Sequence, residues 1–199
     1  MPRSRTRIAV AALLVAGTAA ALASPAQAAG GHRALSHFDD GSFETPEAPA
    51  NAFTTLSAGQ TLGPWNVTAG SVDLIGAGFW QAAEGNQSLD LNGSAAGTVA
   101  QSFTTVAGTT YSVTYALAGN PEGGPALRTG RALIDGQDFQ DFSFDITGRT
   151  KAAMGYVGHQ FSFVAQGPST TLSFTSTLAG AYGPVIDNVQ VKECKPCCG

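Results

Sequence analysis

The stretch Thr110-Tyr111-Ser112-Val113-Thr114-Tyr115-Ala116-Leu117 decides the fold class. Its large side chains fall at every second position, so Tyr111, Val113, Tyr115 and Leu117 share one face and Ser112, Thr114 and Ala116 the other. A period of two fits a strand with one buried face; a helix would need a period of 3.6. The same alternation returns in Phe142, Phe144 and Ile146, in Phe161 and Phe163, and in Leu172 and Phe174. Around these runs lie further short segments rich in β-branched and aromatic residues: Ser42–Glu44, Thr54–Leu56, Trp65–Thr68, Ser71–Ile75, Ser88–Leu91, Thr98–Thr104, Arg131–Ile134 and Val185–Lys192. Gly, Pro and Asn divide them, and no amphipathic stretch is long enough for a major helix. Many short alternating strands between turn signals predict an all-β, two-sheet antiparallel sandwich.

Composition agrees. Charged residues make up 12% of the 199-residue chain, and 25 residues are Gly. Helix surfaces usually carry Glu, Lys and Arg, so this deficit disfavours a helical protein. The first 28 residues hold three of the ten basic side chains (Arg3, Arg5, Arg7) and none of the fourteen acidic ones. They read as a signal peptide over 1–28: a basic start, an apolar run from Ile8 to Leu22, and Ala26-Gln27-Ala28 as the cleavage site. The apolar run is too short for a membrane span, which needs about 20 residues, and no later stretch could provide one. Without the signal, seven basic residues face fourteen acidic ones, which argues against a phosphate backbone as partner. The expected organisation is a flexible lead-in over 29–37, one domain over 38–192 and a Cys-containing tail over 193–199.

No nucleophile elbow, P-loop or zinc-protease spacing is present, and His32, His37 and His159 sit beside no candidate nucleophile in sequence. Asp73, Glu84, Asp90, Asp135, Asp138, Asp141 and Asp145 read as solvated strand and turn residues rather than as an acid/base pair, so the chain is expected not to be an enzyme. The cysteines Cys194, Cys197 and Cys198 all lie at the end. None can staple the sandwich; an oxidising compartment allows a Cys194–Cys197 bridge with Cys198 spare to attach the chain, and a functionless tail fits equally well. The two longest loop candidates are Gly119–Pro125 and Gly76–Gln81, and loops on a rigid sandwich carry recognition.

Seven segments, taken in order, carry a family resemblance. They are Asp40-Gly41-Ser42-Phe43-Glu44; Trp65-Asn66-Val67; Gly70-Ser71-Val72-Asp73-Leu74-Ile75; Glu84-Gly85-Asn86-Gln87-Ser88-Leu89-Asp90-Leu91-Asn92-Gly93; Gln101-Ser102-Phe103; Leu117-Ala118-Gly119-Asn120-Pro121; and Gly183-Pro184-Val185-Ile186-Asp187-Asn188-Val189. Together they resemble the plant cell-wall "domain of unknown function 642" family and its bacterial relatives, the choice-of-anchor C proteins, from about Phe38 to Val191. The resemblance implies a galactose-binding-like jelly-roll β-sandwich, secretion, and association with cell-wall or extracellular polysaccharide. Plant members carry two such domains and this chain one. The end Cys194-Lys195-Pro196-Cys197-Cys198-Gly199 differs from the sorting signal of the bacterial relatives.

In a jelly roll of this kind the terminal strands run side by side. Glu44 on the first candidate strand and Asp187 on the last would then meet, as the carboxylates of a structural calcium do in resembling carbohydrate-binding modules. Ca²⁺ is therefore expected at Glu44 and Asp187, with Asp40 or the Gly41 carbonyl completing the oxygens. Sugar recognition needs an aromatic face and planar polar groups. Trp80, set among glycines, is the candidate face, with burial as its other reading; Asn86, Gln87, Asn120 and Tyr182 are the candidate hydrogen-bonding partners. Trp65, at the start of a strand, reads as core. Two functions stay open. One is a secreted noncatalytic carbohydrate-binding domain. The other is a cell-surface adhesion protein that binds another protein, such as a cell-wall protein, through its sandwich loops and is tethered by its C-terminal cysteines.

Overall fold

A computed structural model describes residues 37–194. The signal segment, nearly all of the lead-in, and Cys197 and Cys198 lie outside the described residues. Within them no helix forms, and twelve strands build two six-stranded sheets. In the first sheet the order is β1 (Phe53–Ser57), β4 (Ser71–Ile75), β5 (Ser88–Asp90), β12 (Pro184–Glu193), β7 (Thr110–Gly119) and β10 (Val157–Val164). The second runs β2 (Thr61–Leu62), β3 (Trp65–Ala69), β6 (Thr98–Thr104), β11 (Ser169–Ser176), β8 (Leu127–Ile134) and β9 (Gln137–Asp145). Every pairing is antiparallel. The architecture is the expected all-β jelly-roll sandwich.

Alternation places the core. Val113, Tyr115 and Leu117 of β7 are buried and face Leu172 and Phe174 of β11 across the sandwich. Tyr115 meets Phe174 edge-on at 5.0 Å and Phe142 at 5.9 Å between ring centroids, so aromatic rings from both sheets interlock in the middle of the core. Trp65 is fully buried, as its place in the strand suggested, and its indole N–H donates to the Asp40 carbonyl at 3.0 Å.

Two expectations about the chain's beginning need correction. Ser42–Glu44 is not a strand. Asp40 and Phe43 sit in the left-handed region, at φ 48° and 58°, which an extended chain cannot use. The Asp40 carboxylate holds this turn by accepting the amides of Glu44 (2.8 Å) and Thr45 (3.2 Å). The terminal strands of the described fold are also not neighbours, because β4 and β5 separate β1 from β12. The 38–44 segment nevertheless returns to β12 as a loop, where the Val189 amide donates to the Gly41 carbonyl at 2.8 Å. It docks where the β12–β7 register shifts between Asp187 and Gln190. The two-residue strand β2 is too short to show any period, and β8 starts four residues before the Arg131 expected from the sequence.

Candidate functional site

The site grows from one row of the first sheet. Thr55 of β1 lies opposite Asp73 of β4, and Asp73 lies opposite Asp90 of β5. Val72, Leu74 and Leu89 point into the core, so strand alternation turns Ser71, Asp73, Ser88 and Asp90 to the outer face. That face would ordinarily be wet. Here all four are buried, because loops fold over this end of the sheet.

Cover forces each polar group to find a partner. Asp90 is fully enclosed. One oxygen accepts the amides of Asn92 (2.9 Å) and Gly183 (3.1 Å); the other accepts the Asn120 side-chain amide at 2.8 Å. Burial outweighs these bonds and pushes its carboxyl up to about 8, with the nearby Asp73 charge adding to the rise. Asp73 is also raised by burial, against a 2.6 Å hydrogen bond from the Thr55 hydroxyl to its Oδ1.

Arg128 shapes the loop after β7. It stands in the inward phase of β8 and is fully buried. Its guanidinium donates to the carbonyls of Asn120, Glu122, Gly123 and Pro125 at 2.6–3.1 Å. Burial lowers its pKa, opposed by the Asp90 charge. The second loop is fixed by Trp80, whose N–H donates to Ser88 Oγ at 2.8 Å. It is also held by Lys151, whose carbonyl accepts the Gln81 amide at 2.8 Å. The Lys151 ammonium lies 4.0 Å from the centre of the Phe79 ring and 3.0 Å from the Glu122 carboxylate.

Between these loops opens a cleft of roughly 380 Å³. Phe53, Thr55, Asp73, Asn120 and Tyr182 border it, with Trp80 in its wall. Phe53 and Tyr182 are 48% and 40% exposed, so both can meet a ligand. Tyr182 rests so closely on Gly123 that a Cβ there would collide with its ring.

The structure thus brings Trp80, Asn120 and Tyr182 together and leaves Asn86 and Gln87 elsewhere. Trp80 is only 6% exposed with its N–H already paired, so it forms wall rather than stacking platform. Asn120 is buried, and its side chain serves Asp90. Gln87 is buried as a peg: its oxygen accepts the Ala48 amide, and its nitrogen donates to the carbonyls of Phe43 and Pro46. Asn86 is exposed beside Glu44. Sequence reasoning missed Phe53, Thr55 and Arg128, and it read Asp73 and Asp90 as solvated. The available signal was phase: an aromatic residue in the outward phase of β1, and a charge in the inward phase of β8.

Glu44 and Asp187 clasp the same segment from its two ends. Glu44 Oε1 accepts the amides of Asn86 (2.8 Å) and Gln87 (2.9 Å), and Asp187 Oδ2 accepts those of Ala83 (2.7 Å) and Glu84 (3.0 Å). Asp187 is fully buried, and burial pushes its carboxyl up to about 7, with Glu84 adding to the rise. Asp40 is likewise raised by burial. No Lys, Arg or His pairs with these carboxylates among the described residues. No group of three or more His, Cys, Asp or Glu side chains is placed to hold a metal among them either. Asp187 Oδ1 also accepts the Asn188 amide at 2.6 Å, so both of its oxygens are already held by backbone donors.

A family model described as protein of unknown function (DUF642) matches residues 36–192. Over 161 residues the chain is 30% identical to Halomucin of Haloquadratum walsbyi, a match that covers 77% of this chain and 2% of that protein. Similar solved structures include a family 35 carbohydrate binding module from Clostridium thermocellum, 14% identical with a TM-score of 0.48, covering 72% of this chain and 99% of that one. The CBM22-1 xylan-binding domain of Paenibacillus barcinonensis Xyn10C is 19% identical with a TM-score of 0.48, covering 74% and 98%. TmCBM61 in complex with β-1,4-galactotriose is 11% identical with a TM-score of 0.48, covering 81% and 100%. Likenesses of this size assign no ligand to this chain.

Proposed function

This chain belongs to the family described as protein of unknown function (DUF642), and from that premise we propose that it is a secreted, noncatalytic carbohydrate-binding domain of a cell wall or extracellular matrix. One observation carries the reading: two half-exposed aromatic rings, Phe53 and Tyr182, flank a cleft whose floor is polar. A pyranose offers C–H faces to the rings and hydroxyls to Thr55 and Asp73. Glycoside hydrolysis would need two carboxyl groups flanking the bond. Of the three carboxyls here, Asp90 is sealed from solvent and Glu122 is paired with Lys151, which supports binding without catalysis. The basic start and apolar run before Ala28 support export.

Retention on immobilised neutral xylan, mannan, galactan and glucan tests the reading. The protein is expected to be held by at least one of them. Phe53→Ala and Tyr182→Ala should each weaken retention about tenfold, or about 1.4 kcal/mol, with melting temperatures close to that of the parent. Parental retention in both variants would remove the cleft from the site.

The reading includes a structural Ca²⁺ at Glu44 and Asp187, with Asp40 or the Gly41 carbonyl beside them. It rests on two carboxylates that hold the same 83–87 segment with no cationic partner among the described residues, and a bound ion would have to share the Asp187 oxygens with three backbone amides. Chelation should lower the melting temperature and added calcium should restore it. A melting curve indifferent to both would count against the ion.

A further inference from the structure

Asp73 occupies a particular position in the cleft. Its Oδ1 takes the Thr55 hydroxyl proton at 2.6 Å, and that bond fixes the carboxylate plane across β1 and β4. Its Oδ2 accepts no hydrogen bond among the described residues, although the side chain is nine-tenths buried and borders the cleft. An ionised carboxylate only accepts, so this oxygen is open to water or to a donor from the ligand.

The charges around it all favour one kind of donor. Among the described residues the cleft is bordered by Asp73 and by Glu122, which is paired with Lys151, and by no Lys, Arg or His. The cations nearby are already engaged. Lys151 lies between Glu122 and the Phe79 ring, and the Arg128 guanidinium is spent on the carbonyls of the 120–125 loop. An anionic sugar entering here would meet the Asp73 carboxylate in a partly desolvated site whose nearby cations are already paired, where repulsion is screened less than at an open surface. A neutral sugar would bring hydroxyl donors.

We propose that Asp73 makes this cleft selective for uncharged saccharides and excludes polymers that carry uronate groups. The inference rests on the reading of the cleft as a saccharide site and adds the class of saccharide, with Asp73 as the specificity-determining residue.

The test compares immobilised polymers that share a backbone and differ in charge: hydroxyethyl against carboxymethyl cellulose, and methyl-esterified against de-esterified polygalacturonate. The neutral panel above is run beside them. The protein should hold the neutral member of a pair at least about tenfold more tightly than the acidic one. Asp73→Asn, which keeps the shape and removes the charge, should cut that ratio at least about fivefold, mainly by admitting the acidic polymer. A second arm uses the unmodified protein, so it does not depend on the variant folding. Raising salt from about 0.01 M to about 1 M shortens the screening length from roughly 30 Å to 3 Å, and should raise retention on the acidic member while leaving the neutral one unchanged. Equal or tighter binding of the acidic polymers at low salt, or a ratio indifferent to both Asp73→Asn and salt, overturns the selectivity and leaves the saccharide site standing. No retention on any polymer overturns the saccharide reading, and the selectivity with it.

Discussion

The outer faces of the two sheets start from the same strand alternation and end as different surfaces. On the second sheet a row of outward polar side chains stays partly or fully in water. Thr98 pairs with Thr175, Ser102 with Thr171 and Thr129 with Thr177, each hydroxyl pair at 2.7 Å. Arg131 reaches Asp138 and Asp141, whose side chains are 60% and 79% exposed. On the first sheet Ser71, Asp73, Ser88 and Asp90 leave the core in the same way, but loops close over them. Water screens the first set and leaves each pair worth little. Cover makes the second set costly unless every atom is paired, and it raises the carboxyls. Alternation therefore decides which side chains leave the core, and the loops decide whether they meet solvent or become a site.

The sharpest way to break this contrast is to remove an arginine from each side. Arg128→Leu strips the donor from four loop carbonyls, and each buried group left unpaired costs about 1–3 kcal/mol. A loss of about 3 kcal/mol or more is expected in urea unfolding, together with loss of polysaccharide retention. Arg131→Leu, on the open face, should change stability by less than about 1 kcal/mol. Similar losses from the two would mean that cover does not set their energetics.

A smaller effect appears in pH. The Asp90 carboxyl, ordinarily at 3.8, is pushed up to about 8 in the folded chain, so between these values the folded state keeps a proton that the unfolded state has released. Stability from this group is complete below about pH 4 and is lost as pH rises towards 8, by at most about 1.4 kcal/mol per unit. Asp187, pushed up to about 7, acts in the same sense. In the chelated protein the melting temperature at pH 5 should exceed that at pH 8. Asp90→Asn, which mimics the protonated group, should flatten the upper part of that slope. An unchanged slope in the variant would assign the titration elsewhere.

The smallest effect belongs to the open face. Replacing both Thr98 and Thr175 with Val removes one hydroxyl pair and should shift stability by no more than about 1 kcal/mol, with polysaccharide retention untouched. Lost retention would place the binding surface on the second sheet.

Legibility in the sequence followed the range of the forces. Eleven of the twelve strands overlap segments marked by alternation, turn residues and β-branched side chains, and the exception is the two-residue β2. The failure at Ser42–Glu44 has a definite cause. The segment has a strand-like composition, but the Asp40 side chain offers its backbone a turn instead. Trp80 and Tyr182 were recognisable as aromatics in loops; which of the two would be walled in depended on Ser88 and Gly123, distant in sequence from one or the other.

By itself, then, the sequence determined the fold class, the core faces and the acidic, cation-poor character of the domain, because periodicity and charge are carried by neighbouring residues. Only the tertiary structure decided that Phe53, Asp73, Asn120 and Tyr182 border one cleft, that Asp90 is sealed and that Arg128 serves carbonyls rather than a carboxylate. Those outcomes depend on which loops close over which sheet face, and contacts between residues so far apart along the chain leave no local period to read.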